Sequence, residues 1–521
     1  MALGWKSTAM ITPFRPHRLL RSAGVALLAL TLLSVGTGCS TNPATGRSSF
    51  TGFMSADEEK KVGRDEHPKI LREFGGEYAD PKVRQYVQQL GERLAKNSEM
   101  ADLKFTFTVL NSDIVNAFAL PGGYVYVTRG LLALASTEAE LAGVIGHEIG
   151  HVTARHTAQR YSAAVASQGL VTAGALILGV LTGSGQVAQA AGDLGSGVAG
   201  MALAGYSRDQ EFEADTLGVR YLDRTGFDDN AMASFLGKMQ EDSRLTAQIA
   251  GRNDADEFSI MQSHPRTADR VQAATAEARK QGVTSAAARV GRDEYLDVLE
   301  GMSWGGDHEN GWAINRQYIH PGLRFRFEVP AGFRMMNSER NVMALGPNNA
   351  RIVFDQAPRT REGQNSAQAM SPQDYLRQVW GRNSTLSQLE NITINGLPAA
   401  TGAARLSTKT GQFDARLVAI RFDERTMFRF LFMSPPAQTA SLNEPFRRTT
   451  YSFAKLSDRE AQAAQPPRIR TVRVAAGDTA ESLARRMPFD DFGPQRFRVI
   501  NGLTAGQQPR VGDRVKIITG E

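Results

Sequence analysis

The sequence predicts a multidomain chain: a mainly α-helical first domain with a small β-sheet, then an α+β domain, then a small βααβ module. Three observations carry that prediction. The chain has 521 residues, enough for about three domains. Its 41% hydrophobic and 22% charged residues are ordinary for a globular protein with a large core. Apolar residues recur at helical spacing before residue 300 and alternate with polar ones after residue 312. The formal charge of +6 is small for this length and forms no dense basic stripe, so nucleic-acid binding is not expected.

Residues 1–38 read as an export signal. Arg15, His17, Arg18 and Arg21 form a basic region, and Gly24 to Val35 is an apolar run too short to span a membrane. Gly36-Thr37-Gly38-Cys39 follows, and resembles a bacterial lipobox with Gly36 in place of the usual leucine. Cys39 is the only cysteine, so an intramolecular disulfide and a cysteine metal site are excluded. Lipidation of Cys39 is expected, with residues 39–55 as a tether. Ser40, where sorted lipoproteins of the other kind carry aspartate, implies the periplasmic face of the outer membrane.

The first folded domain is expected over residues 56–300. Within it, residues 147–151 read His-Glu-Ile-Gly-His. Histidines four apart share a helix face, so His147 and His151 can reach one metal ion. Glu148 can then take a proton from a metal-bound water. Ser136 or Thr137 can cap this helix, and Thr137 with Glu140 fits a capping box. Leu141, Val144 and Ile145 give it a buried face, while Gly143, Gly146 and Gly150 allow another segment or a substrate to approach closely.

A hydrolytic zinc site needs a third protein ligand. His156 lies nine residues after His147, half a turn out of phase, and is expected at the helix end or behind the ligands. The helix predicted within residues 207–223 (SRDQEFEADTLGVRYLD) supplies Glu211 as the third ligand. Asp215, four residues on, shares its face and is expected to orient a ligating histidine, whereas Glu213 lies about 200 degrees away.

HEIGH, SRDQEFEAD and the preceding NAFALPGGYVYVTRGLL (residues 116–132) together resemble the gluzincin metallopeptidase family of HtpX, the CaaX-prenyl endopeptidases, the Oma-type proteases and the BepA-like periplasmic proteases. NPATGR from residue 42 is similar to a segment of the BepA-like lipoproteins, and the resemblance extends to about residue 280. It implies a zincin fold, one zinc ion on His147, His151 and Glu211, and Glu148 as catalytic base. It also implies that Tyr124, Val125 and Tyr126, after the turn Pro121-Gly122-Gly123, form a strand edge that pairs with substrate, the alternative being an ordinary core strand. Ser263-His264-Pro265 is similar to a motif whose histidine takes the open zinc position and holds the enzyme latent. His264 is therefore either a fourth ligand or a core histidine. Residues 163–204, rich in Ala, Gly, Val and Leu, are expected as helices covering the cleft.

The α+β domain is expected over residues 312–455. Leu323, Phe325, Phe327 and Val329 alternate with charged residues, and Arg351 to Phe354 reads as another strand. Ser371-Pro372 opens a helix, and strands follow at residues 391–394, 416–422 and 427–433. Residues 456–470 read as a linker. Residues 471–519 resemble a LysM module on TVRVAAGDTAESLARRM, FRVINGL and VGDRVKII, which implies peptidoglycan as a partner.

The expected protein is thus a zinc endopeptidase acting on misassembled envelope or outer-membrane proteins. Two other classes share its residues: a weakly proteolytic scaffold for envelope assembly, and a hydrolase acting on peptidoglycan.

Overall fold

The computed structural model describes residues 39–167, 206–249, 267–281, 288–337, 341–358, 370–408 and 411–520. The signal residues 1–38, His264 and most of the expected covering helices lie outside the described residues.

The chain begins as a hairpin, β1 (Cys39–Thr41) paired antiparallel with β2 (Ser48–Phe50), where a tether was expected. Asn42 makes the turn, its Oδ1 accepting the backbone N–H groups of Ala44 and Thr45 at 2.9 and 3.3 Å. Helix α1 (Ala56–Glu73) starts on a capping box between Ser55 and Glu58. Helix α2 (Pro81–Ala95) starts on Asp80 with proline at its first turn.

A three-stranded sheet follows, with β3 (Thr106–Leu110), β4 (Ala117–Leu120) and β5 (Tyr124–Thr128). Gly122 and Gly123, at φ +80° and +87°, make the β4–β5 turn that other residues would strain. The order is β3-β5-β4, with β3 parallel and β4 antiparallel to the central strand. Tyr124, Val125 and Tyr126 therefore do not form an open edge. Both backbone edges of β5 are already paired, and the outer edge of β3 is bridged by Glu77 at Leu110, so among the described residues the unpaired strand edge belongs to β4.

Helix α3 (Arg129–Leu134) turns directly into α4 (Glu138–Thr153). Thr137 caps α4 by accepting the Glu140 N–H at 3.1 Å. The Glu140 carboxylate accepts the Ser136 N–H at 2.7 Å, so it closes the cap one residue earlier than a standard box would. Every residue of α4 except Val152 is buried. Helix α5 (Arg208–Arg224) is started by the Ser207–Gln210 capping box and packs along α4. Helices α6 (Ala231–Ile249), α7 (Thr267–Gln281) and α8 (Arg292–Leu299) complete the domain.

The second domain is a phenylalanine-rich antiparallel body. Its seven-stranded sheet runs β12-β13-β14-β15-β11-β10-β9, from β9 (Arg334–Asn337), β10 (Asn341–Leu345) and β11 (Arg351–Gln356) to β12 (Ser387–Ile394), β13 (Leu397–Thr408), β14 (Gly411–Arg421) and β15 (Met427–Ser434). A four-stranded sheet holds β6 (Trp312–Ile314), β7 (Gln317–His320), β8 (Phe325–Glu328) and β16 (Ala454–Lys455). Phe325, Phe327, Phe354, Phe428, Phe430 and Phe453 pack between them. Leu323 does not join this core; it precedes β8 and is exposed. Ser371 caps a short helix with Pro372 at its first turn, as the sequence suggests.

The stretch 456–470 is not an extended linker. It holds a helix at Asp458–Ala463 on a Ser457–Glu460 capping box, then enters strand β17 (Arg468–Arg473). The last unit has the βααβ order: β17, helices at Ala480–Ala484 and Gly493–Asn501, and β18 (Arg514–Thr519) paired antiparallel with β17. It does not stand apart. Its Ile469, Leu483, Phe497 and Ile517 share one core with Leu141, Tyr295 and Leu299 of the first domain. Lys516 of β18 is fully buried, and its ammonium donates to the carbonyls of Ala133, Leu134 and Ala135 at 2.7, 3.3 and 2.6 Å. Those are orphan carbonyls at the end of α3, so a lysine from the far end of the chain caps the turn that launches α4.

Candidate metal centre

Side-chain periodicity and two helix contacts build this site. His147 and His151 rise from one face of α4, one turn apart, with Nε2 atoms 3.0 Å apart and rings nearly perpendicular at 83°. Glu211 reaches them from α5. Its Oε2 is 3.6 Å from His147 Nε2, and its Oε1 is 3.6 Å from His151 Nε2. Donors on a tetrahedral zinc, at about 2.0–2.2 Å from the ion, stand roughly 3.3 Å from one another. The observed separations fit one such ion, and this is the only cluster of its kind among the described residues.

Glu211 can reach because the two helices nearly touch. A β-carbon on Gly146 would lie 3.3 Å from the Gly218 backbone, and one on Gly150 would lie 3.1 Å from the Leu217 side chain. The glycine stripe foreseen in α4 is thus filled by α5.

All three donors are buried, at 4%, 2% and 1% exposure for His147, His151 and Glu211. His147 Nδ1 sits 2.9 Å from Asp215 Oδ1, which fixes its proton there and leaves Nε2 as the ligand atom. Arg270 of α7 grips Asp215 with Nε and Nη2, both at 2.7 Å, and reaches Glu211 Oε2 with Nη1 at 2.9 Å. Burial raises the Asp215 carboxyl's pKa, but the Arg270 guanidinium and the two hydrogen bonds outweigh it and hold the group well below the usual range. Glu148, 1% exposed, lies in the same space, since its charge acts on both Arg270 and Tyr206.

Residues 81–278 match the model for Peptidase family M48. This stretch is an M48 peptidase domain. It is 35% identical over 197 residues to the beta-barrel assembly-enhancing protease of Yersinia pestis, covering 37% of this chain and 40% of that one. The Escherichia coli (strain K12) protein of the same name is 33% identical over 198 residues, with the same coverage of 37% and 40%. Mitochondrial metalloendopeptidase OMA1 of Schizosaccharomyces pombe is 31% identical over 199 residues, covering 38% of this chain and 56% of that one. The chain thus spans about two fifths of the length of these bacterial relatives.

The M48 domain also uses residues the sequence did not single out. Tyr206 stacks on the His151 ring at 3.7 Å, and its hydroxyl pairs with Thr157 Oγ1 at 3.0 Å. Burial pushes that phenol's pKa upward. Arg270 carried no recognisable signal, because its helix follows a segment of mixed composition. His156 lies behind the ligands and touches His151 directly. Glu213, on the opposite side of α5 from Glu211, meets His156 there. A cleft lined by Ala119 and Leu120 of β4, with His151, Val152 and Tyr206, opens beside this group. Cys39 is exposed at the start of β1.

Proposed function

We propose that this chain is a zinc endopeptidase of the bacterial envelope that cleaves misassembled outer-membrane proteins. The convergence of His147, His151 and Glu211 on one point, with Glu148 beside them, is the observation that supports the reading. His147, His151 and Glu211 would hold the zinc ion, which would supply Lewis-acid chemistry for a carbonyl and a water. Glu148 is the residue placed to take a proton from the attacking water and deliver it to the leaving amine. Asp215 and Arg270 hold His147 and Glu211 in their ligating orientations. The open edge of β4 is the strand available to pair with an extended substrate.

The envelope assignment draws on the lipobox-like Gly36-Thr37-Gly38-Cys39 and on bacterial relatives named for β-barrel assembly. Among the described residues no helix is long and apolar enough to cross a membrane. The attachment proposed here runs through lipid on Cys39. A β-carbon added at Gly477, Gly506 or Gly512 would meet nothing within 4 Å, so these turns of the C-terminal unit leave open space beside the backbone for a glycan.

The test is metal analysis of the purified mature protein, paired with cleavage of an unfolded outer-membrane protein. One zinc per chain and chelator-sensitive cleavage are expected. Stoichiometric zinc without cleavage of any unfolded substrate would favour a scaffold instead.

A further inference from the structure

A second histidine–carboxylate arrangement stands behind the metal-ligand face. It joins that face to the first described residues of the chain. With His151 Nε2 turned to the metal position, its ring proton sits on Nδ1. That atom lies 2.8 Å from His156 Nδ1, which accepts and so carries its own proton on Nε2. His156 Nε2 lies 3.1 Å from Glu213 Oε2. The other oxygen, Glu213 Oε1, accepts from Asn42 Nδ2 at 3.1 Å. Every donor faces an acceptor: donation runs outward from His151 to His156 to Glu213, and Asn42 donates to the same carboxylate from the far side.

The local backbone is shaped for this. Helix α4 ends at Thr153, and Arg155 takes the left-handed conformation at φ 57°, sparsely populated by non-glycine residues. A new helical segment, residues 156–167, starts at once and brings His156 back under His151. The Arg155 side chain explains why the turn is tolerated. Its Nε donates to Glu59 Oε1 at 3.1 Å, Nη1 to Ser40 Oγ at 3.0 Å, and Nη2 to the Met54 carbonyl at 2.8 Å. Strand β1 and the segment after β2 are thus pinned beside His156. Asn42 is 3% exposed and His156 is fully buried.

We propose that His156 and Glu213 are positioning residues for His151, and that the N-terminal hairpin, through Asn42 and Arg155, is the lock that keeps them in place. The inference rests on the metallopeptidase reading of the same site. His147 is oriented by a carboxylate directly and His151 by a carboxylate acting through a second imidazole. Metal affinity consequently depends on a hairpin more than 90 residues before the ligands.

The experiment uses the mature full-length chain and measures zinc affinity by competition with a chromophoric chelator, beside the unfolding midpoint of the metal-free protein. Glu213→Gln, Asn42→Ala and His156→Phe should each weaken zinc binding, by about 10- to 100-fold for His156→Phe and less for the others. His156→Gln, whose amide can both accept and donate, should recover much of the loss. Asn42→Ala and Glu213→Gln should combine non-additively, because they break the same contact. Affinities within twofold of wild type, in a preparation where His147→Ala abolishes binding, would overturn the positioning role and leave the metallopeptidase reading intact. A lowered unfolding midpoint with unchanged affinity would likewise overturn it, as that marks a purely structural role. Absence of zinc binding by the wild type would remove the reading beneath both.

Discussion

Lys516→Met tests whether the C-terminal unit is structurally part of the peptidase domain. Methionine keeps most of the apolar stem but removes the ammonium that serves the carbonyls of Ala133, Leu134 and Ala135. Each buried acceptor left without a partner costs about 1–3 kcal/mol. The change also removes the expense of burying an ammonium, several kcal/mol on its own, which burial already opposes by pushing the Lys516 pKa well down. The net loss should be about 2–4 kcal/mol, and it should fall on the α3–α4 turn. The loss is confined to one turn, which a global midpoint would average over. Native-state hydrogen exchange reads the turn itself. The amide of Ala135, bonded to the Leu131 carbonyl, and that of Leu141, bonded to the Thr137 carbonyl, are the reporters. At tenfold per 1.4 kcal/mol they should exchange roughly 30- to 700-fold faster. Unchanged exchange at both amides would refute the argument and return the last 50 or so residues to the status of an appended module.

Three further outcomes are expected. Glu148→Gln should keep zinc and lose cleavage by at least about 10²-fold, measured on an unfolded protein substrate; undiminished cleavage would assign the base elsewhere. Arg270→Met should destabilise the metal-free protein by about 3–5 kcal/mol in denaturant, since it strands Glu211 and Asp215 as buried carboxylates; a change below about 1 kcal/mol would show that Arg270 only fills space. Asp229 is buried, both its oxygens lack a partner among the described residues, and burial with the nearby Asp223 and Asp228 charges raises its pKa to about 7. The native state then holds a proton that the unfolded chain releases near pH 4, so stability should fall between about pH 4 and pH 7. Asp229→Asn should flatten that slope and stabilise the protein at pH 8; an identical pH profile for the two proteins would exclude the effect.

Much of the metal site was legible because helix geometry is local. Four-residue spacing alone put His147 beside His151 and Glu211 beside Asp215, and the glycines of α4 announced a close neighbour. What sequence could not supply were the long-range choices. Phase correctly removed His156 from the ligands, but it assumed a continuous helix. The chain instead breaks at Arg155, and only that break brings His156 and Glu213 together. Strand β5 was read as a strand from its composition and placed at an edge by the family resemblance, since nothing in composition sets order. Its parallel pairing with β3, reached across the β4 hairpin, put it in the middle. The linker reading of 456–470 passed over a capping box that Ser457 and Glu460 spell out. The docking of the last unit had one trace in the sequence, a lysine inside the apolar run Val515 to Ile518, which a free-standing strand would leave in water.

The approach of Gly146 to Gly218 sets the spacing of α4 and α5 by main chain against main chain, with no side chain between them as a shim. Such a joint has no adjustable part. Residues elsewhere in the core can exchange for others of similar size without altering the distance from Glu211 to the two imidazoles, whereas one added methyl at Gly218 would press on the main-chain amide of the ligand His147 at 3.1 Å. Tolerance of the surrounding core to sequence drift and intolerance at these two glycines are therefore two sides of the same construction.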